Sequence, residues 1–187
     1  MSPVPAFNTG LPNAWLLAIV FLLLGYVPLL TLKDYGKKTG QGEHYGKVER
    51  LINVLFLALM VYSIFLPLQL RTAWFYSGLV VYLVGLTVVA TAVVNIASTP
   101  LGQPFTKGIY RYSRNPGYLG QLIVFVGIGV ASASWLYLLF SAILAALTFS
   151  LIGIEERMTL ARFGDSYREY MNKTPRWLGI PRSAKSE

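Results

Sequence analysis

The chain of 187 residues is 55% hydrophobic, has a mean hydropathy of +0.53 and carries only 13% charged residues. Soluble domains average about 25% charged residues, so this composition excludes an ordinary soluble protein and favours a single integral membrane domain over 1–187. Cysteine is absent, which excludes disulfides and thiol chemistry. In a membrane protein, the net charge of +8 is expected to reflect contact with membrane lipids rather than nucleic-acid binding.

Five apolar runs have about the length that a helix needs to cross a bilayer. They are 13–32, 51–70, 75–96, 117–132 and 134–153. Every Lys and Arg except Arg71 falls in one of three polar segments, 33–50, 97–116 and 154–187, and the positive-inside rule places these segments in the cytoplasm. The sequence therefore predicts an all-α membrane protein with five transmembrane helices, its N-terminus outside and its C-terminus cytoplasmic.

The end of the chain predicts a helical hairpin followed by a structured tail. The last two spans are separated by little more than 131–134, so they are expected to pack antiparallel. The final helix is predicted to continue past its apolar run and stop at Gly164, a residue suited to a left-handed cap. Ser166–Glu169 matches a capping box for a short second helix, which Pro175 ends, and the tail is expected to fold over the cytoplasmic surface.

A polar stretch, RYSRNPGYLG at 111–120, interrupts the apolar sequence where the fourth span begins. As an interfacial anchor, its arginines would meet lipid phosphates and its tyrosines would join the aromatic belt. Asn115 is not an anchor residue, however, and a helix N-terminus also attracts anionic groups. We therefore expect the stretch to form one wall of a binding site.

Glu155 and Glu156 end the last apolar run. Adjacent carboxylates near a membrane interface are costly unless they are paired or functional. The predicted hairpin brings the start of the fourth span beside the end of the fifth, so this pair should form the opposite wall of the same site. His44, the one histidine, has no Cys or second His to complete a metal site, and no metal is predicted.

Two segments together resemble a known family: TKGIYRYSRNPGYLG and EERMTLARFGDSYREYMNKTPRW. The combination is similar to the isoprenylcysteine carboxyl methyltransferase and phospholipid methyltransferase superfamily of membrane enzymes. The resemblance covers roughly 99–181, within a motif region at 97–187, whereas the three spans in 13–96 are generic. It implies methyl transfer from S-adenosylmethionine to a lipidic substrate that enters from the bilayer, at an active site on the cytoplasmic face.

The resemblance also implies which residues form the site. The cofactor-binding positions carried over are Tyr110, Arg114, Asn115, Pro116, Tyr118, Gly120, Glu155 and Glu156. Candidate catalytic residues are Glu155 or Glu156, either of which could deprotonate an amine acceptor, and Arg176, with Arg157 second, which could orient a carboxylate acceptor. Positioning alone can drive an in-line displacement at a methyl group, so no metal is implied.

Alternatives stay open for both the substrate and the enzyme class. The carboxyl methyltransferases usually carry His where this chain has Asn115, and Asn-Pro is familiar in phospholipid methyltransferases, yet the tail resembles that of the carboxyl methyltransferases. Both a prenylcysteine-type carboxylate and a phospholipid-type amine therefore stay open. A sterol-type membrane reductase using NADPH is the alternative enzyme, and a non-enzymatic scaffold or transporter subunit is a third hypothesis.

Overall fold

The computed structural model describes residues 9–33, 35, 38 and 46–181, and these residues form helices with no β-strand. The helices are α1 (Trp15–Gly25), α2 (Val27–Thr31), α3 (Lys47–Ser63), α4 (Ala73–Ser98), a 3-10 helix (Gly108–Arg111), α5 (Pro116–Ala131), α6 (Trp135–Phe163) and α7 (Asp165–Lys173). The all-α prediction is confirmed for the described chain. Both α4 and α6 are long and apolar enough to cross a membrane, whereas five crossings and their orientation stay predictions.

The first two predicted spans differ from the helices that form. The run at 13–32 is broken at Tyr26 into α1 and α2, because Pro28 lacks an N–H group and its ring would collide with a carbonyl one turn earlier in a continuous helix. The run at 51–70 is helical only as far as Ser63. His44 lies outside the described residues.

The chain beyond α3 turns back onto the segment that precedes α1. The Asn13 amide, 2% exposed, donates to the Ile64 carbonyl at 2.8 Å, and the Ala14 N–H donates to the Leu66 carbonyl at 2.8 Å. These bonds satisfy polar backbone where α3 ends, which buried chain requires. The contact joins the start of α1 to the end of α3, at the end of the bundle away from the site described below.

Glycines let α4 and α5 pack with their backbones in contact. A Cβ atom added to Gly85 of α4 would lie 2.6 Å from the Val124 nitrogen, and one added to Gly120 of α5 would lie 2.9 Å from the Val89 nitrogen. Gly127 of α5 meets Tyr82 in the same way. Small residues at helix contacts are how membrane helices approach closely, and this seam fixes α5 against α4.

The predicted hairpin and the extension of the last helix are both present. Residues 132–134 connect α5 to α6, and α6 continues to Phe163 before Gly164 ends it at φ 58°. The predicted capping box is wrong, because α7 begins at Asp165 and the Ser166 hydroxyl donates to the Phe163 carbonyl at 2.8 Å instead of capping a new helix. The glycine lets the chain restart at once, which leaves Ser166 inside the first turn.

Candidate functional site

The segment before α5 is folded by its own short side chains. Asn115 has φ −129° and ψ 49°, outside the α region that a following proline disfavours, and Pro116 opens α5 where its missing N–H costs nothing. The buried Ser113 hydroxyl accepts a hydrogen bond from the Asn115 N–H at 3.1 Å. This turn directs Arg114 and Asn115 toward α6.

Glu156 is the centre of a dense polar cluster. Its side chain is 4% exposed, and its two oxygens accept from Arg114 Nε at 3.0 Å and from Arg176 Nη2 at 2.6 Å. The Asn115 amide donates to the same carboxylate at 3.2 Å. Arg114 Nη2 and Arg176 Nε also donate to its Oε2, at 3.3 Å and 2.9 Å. A buried carboxylate needs such compensation, and here the cluster uses both oxygens.

Glu155 has a different environment, although it is the adjacent residue. It is partly buried, and its Oε1 accepts from the Tyr118 hydroxyl at 2.7 Å. Among the described residues, Tyr118 is the donor that reaches this carboxylate. Within the described chain, the Glu155 carboxylate thus accepts from one donor, whereas both oxygens of Glu156 already accept hydrogen bonds.

The tail after α7 lies across the start of α5. The Arg114 N–H donates to the Pro175 carbonyl at 3.0 Å, and the Gly179 N–H donates to the Tyr112 carbonyl at 3.0 Å. The Asn115 amide also donates to the Arg176 carbonyl at 3.2 Å. These bonds fold the tail back across the start of α5, as the sequence predicts, and they hold Arg176 beside Glu156.

A cavity of about 490 Å³ lies beside the cluster, within the roughly 300–1,000 Å³ usual for small-molecule sites. Its polar end carries Arg114, Asn115, Tyr118, Glu155 and Glu156, and its floor is apolar. Helices α1, α3, α4 and α6 supply that floor through Phe21, Ile52, Phe56, Val89 and Leu151. One space thus joins carboxylate and amide chemistry to an apolar chamber.

The structure brings most of the sequence-predicted residues to this cavity. Those lining it are Tyr110, Arg114, Asn115, Tyr118, Glu155 and Glu156. Pro116 is buried at the start of α5 and Gly120 in the α4–α5 seam, so they position α5 but do not line the cavity. Arg176 lies outside the cavity wall on Glu156, and Arg157 is exposed and apart from it.

Two tyrosines of α7, which were not among the predicted site residues, also line the cavity. Tyr167 and Tyr170 lie one turn apart, and the Tyr170 hydroxyl donates to the Tyr110 carbonyl at 2.7 Å. Burial, followed by the charge of Glu156, raises the pKa of Tyr167 to about 12, and burial raises the pKa of Tyr170 above its usual range. Both therefore stay neutral hydroxyls near pH 7. Their spacing of three residues, which places them on one face of a helix, is the sequence signal that could have identified them as site residues.

Other wall residues come from elements with no motif. Tyr26, at the break between α1 and α2, donates from its hydroxyl to Gln121 Oε1 of α5 at 2.9 Å, and both line the cavity. Glu49 of α3 also lines it. Among the residues that the structure describes, no group of three His, Cys, Asp or Glu is placed to hold a metal ion.

Comparison with known proteins identifies the family. A model of the phospholipid methyltransferase family matches residues 73–166, from the start of α4 to the start of α7. The chain is 39% identical over 77 residues, 41% of its length, to the protein-S-isoprenylcysteine O-methyltransferase of Schizosaccharomyces pombe. It is 37% identical over 68 residues, 36% of its length, to methanethiol S-methyltransferase 1 of Bradyrhizobium diazoefficiens.

These matches cover 32% of the first relative and 23% of the second, so this chain spans a third or less of the relatives it matches. The matched family region contains the α4–α5 seam, the Asn-Pro turn and both glutamates. On this family match the chain belongs to the phospholipid methyltransferase family, a family named for methyl transfer.

Proposed function

We propose that this protein is a multi-pass membrane methyltransferase that transfers a methyl group from S-adenosylmethionine to a lipidic acceptor. The observation that supports this most directly is the cavity of about 490 Å³, which has a polar end and an apolar floor. A polar donor and an apolar acceptor can meet where the two regions join. Family membership supports the reaction class.

The polar end fits the chemistry of the donor. S-adenosylmethionine supplies an electrophilic methyl group on a sulfonium, and it also carries a carboxylate, an ammonium and ribose hydroxyls. Glu155, which lines the cavity and accepts from Tyr118, can accept hydrogen bonds from an ammonium or hydroxyl. The first-turn N–H groups of α5 lack intrahelical acceptors, and with the helix dipole they suit a carboxylate.

The two glutamates have separate roles in this proposal. Glu155 is the ligand-binding carboxylate, because its side chain lines the cavity and, among the described residues, accepts only from Tyr118. Glu156 is a positioning residue, because Arg114, Asn115 and Arg176 together occupy its oxygens. Arg176 then holds Glu156 and the tail in place.

The apolar floor suits an acceptor that arrives from the bilayer. As the acceptor atom bonds to the methyl carbon, the bond from that carbon to the sulfonium breaks, and the donor leaves as a neutral thioether. An amine acceptor must also lose a proton, for which Glu155 is the proposed base, whereas a carboxylate acceptor needs only orientation. We place the polar end of the cavity at the cytoplasmic face, where the basic segments are predicted to lie.

Titration calorimetry with S-adenosylhomocysteine, the demethylated donor, tests the proposal in detergent-purified protein. We expect binding to the parent protein and to Glu169→Gln, whose glutamate lies on an exposed face of α7. Binding to Glu155→Gln should be at least tenfold weaker. Binding of NADPH in place of S-adenosylhomocysteine would overturn the proposal in favour of a reductase.

If the donor analogue binds as expected, the acceptor can be identified by radiolabelled methyl transfer. Prenylated cysteines offer a carboxylate and phosphatidylethanolamine offers an amine, so the two open substrate classes are compared directly. Methanethiol adds a small thiol, because a relative carries that name. Transfer to none of the three would refute a prenylcysteine-type or phospholipid-type substrate.

A further inference from the structure

The tail beyond Arg176 turns large apolar side chains away from the protein. Leu178 is 72% exposed and Ile180 is 88% exposed. Between them, Gly179 faces inward and donates its N–H to the Tyr112 carbonyl at 3.0 Å. The alternation is that of an extended chain lying on a surface, with one side on the protein and the other apolar side uncovered.

Trp177 sets the depth of this segment along α6. Its ring lies 4.4 Å, between centroids, from the ring of Phe149. Phe149 precedes Glu156 by two helical turns, or about 10 Å, while the neighbouring Arg176 is bonded to Glu156 itself. The Trp177 side chain therefore reaches from the level of the polar cluster along the outside of α6 toward its apolar half, while the backbone of the tail stays beside residues 112–115.

This depth coincides with the membrane-length part of α6. Phe149 lies about 21 Å along the helix from Trp135, which is less than the ~30 Å thickness of the hydrocarbon core. Phe149 is 50% exposed, and on the same helix Leu139 and Ile143 are 48% and 43% exposed. The Trp177 ring thus lies on the apolar outer face of α6, and Leu178 and Ile180 flank it with uncovered apolar side chains.

The charges nearby have the arrangement expected at the boundary of a bilayer. The side chain of Arg176 is 45% exposed, and Arg168 and Lys173 of α7 are 66% and 43% exposed and pair with Asp165 and Glu169 on the same helix. Cations at the headgroup level with Trp and long apolar side chains below them are the usual anchors of membrane proteins. A soluble partner would have to displace lipid from α6 to reach the same surface.

We propose that the side chains of Trp177, Leu178 and Ile180 insert among the lipid acyl chains near the membrane boundary and that this insertion anchors Arg176 on Glu156. The occupant of the uncovered surface is the bilayer itself. The proposal rests on the membrane placement given under "Proposed function" and not on methyl transfer. It makes the tail a contact through which the membrane supports the polar cluster beside the cavity.

Site-directed spin labelling tests the insertion directly, because the chain has no native cysteine. Leu178→Cys and Ile180→Cys would be labelled with a nitroxide and reconstituted into phosphatidylcholine–phosphatidylglycerol vesicles. Leu139→Cys on the outer face of α6 is the lipid control, and Asn172→Cys on the exposed face of α7 is the aqueous control. We expect both tail labels to favour collisions with oxygen over those with a water-soluble nickel chelate, as the Leu139 label does.

The two controls separate the possible failures. Tail labels that behave like the Asn172 label, while the Leu139 label reports lipid, would overturn the insertion and leave the membrane placement intact. A Leu139 label that reports water would overturn the membrane placement, and the insertion with it. Both outcomes are independent of donor binding and of enzyme activity.

Hydrogen exchange tests whether insertion anchors the cluster. In vesicles, Trp177→Ser should accelerate exchange of the Gly179 and Arg114 amides at least tenfold, because both donate to bonds between the tail and 112–115. Trp177→Tyr, which keeps an aromatic ring with a polar edge, should restore most of the protection. Equal exchange in the Ser variant and the parent would overturn the anchoring role.

Discussion

Glu156→Gln is the substitution that most directly tests the division of roles between the two glutamates. The amide has nearly the shape of the carboxylate but no charge, and its nitrogen can only donate. Arg114, whose side chain is 10% exposed, and Arg176 would then face a group that neutralises neither of them. The packing of α5, α6 and the tail is otherwise unchanged.

The expected magnitude follows from burial on each side of the cluster. Removing one partner of a buried ion pair costs about 3–5 kcal/mol, and the pair with Arg114 is of this kind. The pair with Arg176, at 45% side-chain exposure, is screened by solvent and should add less than about 1 kcal/mol. We therefore expect the free energy of unfolding to fall by about 3–6 kcal/mol, or roughly 6–24 °C in Tm at about 2–4 °C per kcal/mol.

Unfolding in mixed micelles, followed by circular dichroism as dodecyl sulfate is added, measures this loss. Glu155→Gln is the matched variant, since its amide oxygen can still accept from Tyr118, and it should lose less than about 1 kcal/mol. Glu169→Gln, on the exposed face of α7, controls for charge removal alone. If Glu156→Gln were as stable as Glu169→Gln, or Glu155→Gln were the less stable of the glutamate variants, the assignment of Glu156 as the structural centre would be refuted.

Three further results are expected. Gly85→Ala should lower the free energy of unfolding by at least about 2 kcal/mol, because its Cβ would lie 2.6 Å from the α5 backbone. Gly153→Ala, where a Cβ meets open space in α6, should be neutral or stabilising, so equal loss in both would argue against the seam. Tyr118→Phe should weaken S-adenosylhomocysteine binding roughly tenfold, or about 1.4 kcal/mol, by freeing the Glu155 side chain, and unchanged affinity would remove Tyr118 from the site. Because the pKa of Tyr167 is raised from 10.0 to about 12, its contribution to stability is complete below pH 10 and lost between pH 10 and 12; Tyr167→Phe should flatten that part of the unfolding profile.

The sequence predicted the features of this fold that depend on short-range signals. Apolar runs indicated the helices, Gly164 indicated the end of α6, and the small loop indicated the α5–α6 hairpin. The convergence of Asn115 with Glu156 followed from that hairpin alone, and their hydrogen bond at 3.2 Å confirms that the two segments meet. Local rules sufficed because the two partners lie on adjacent helices.

Features that depend on distant packing could not be predicted in the same way. The closest helix contact is the α4–α5 seam, and nothing in the run around Gly85 indicates which helix it meets. Tyr26 and Gln121 are joined across 95 positions of sequence, with no motif in either segment. The different environments of Glu155 and Glu156 arise partly from the tail, because Arg176 joins Arg114 and Asn115 on Glu156 and does not reach Glu155.

The polar cluster also has a consequence for the order in which the protein is made. Glu156 follows Arg114 by 42 positions and precedes Arg176 by 20, so its partners leave the ribosome at different times. At about 5–20 residues per second, Arg176 is added to the chain roughly one to four seconds after Glu156. Until then the tail cannot lie across α5, and the newly made helices hold an unfinished cavity. Closure of the site is therefore a late step of biosynthesis, completed after the helices that form its walls have already been made.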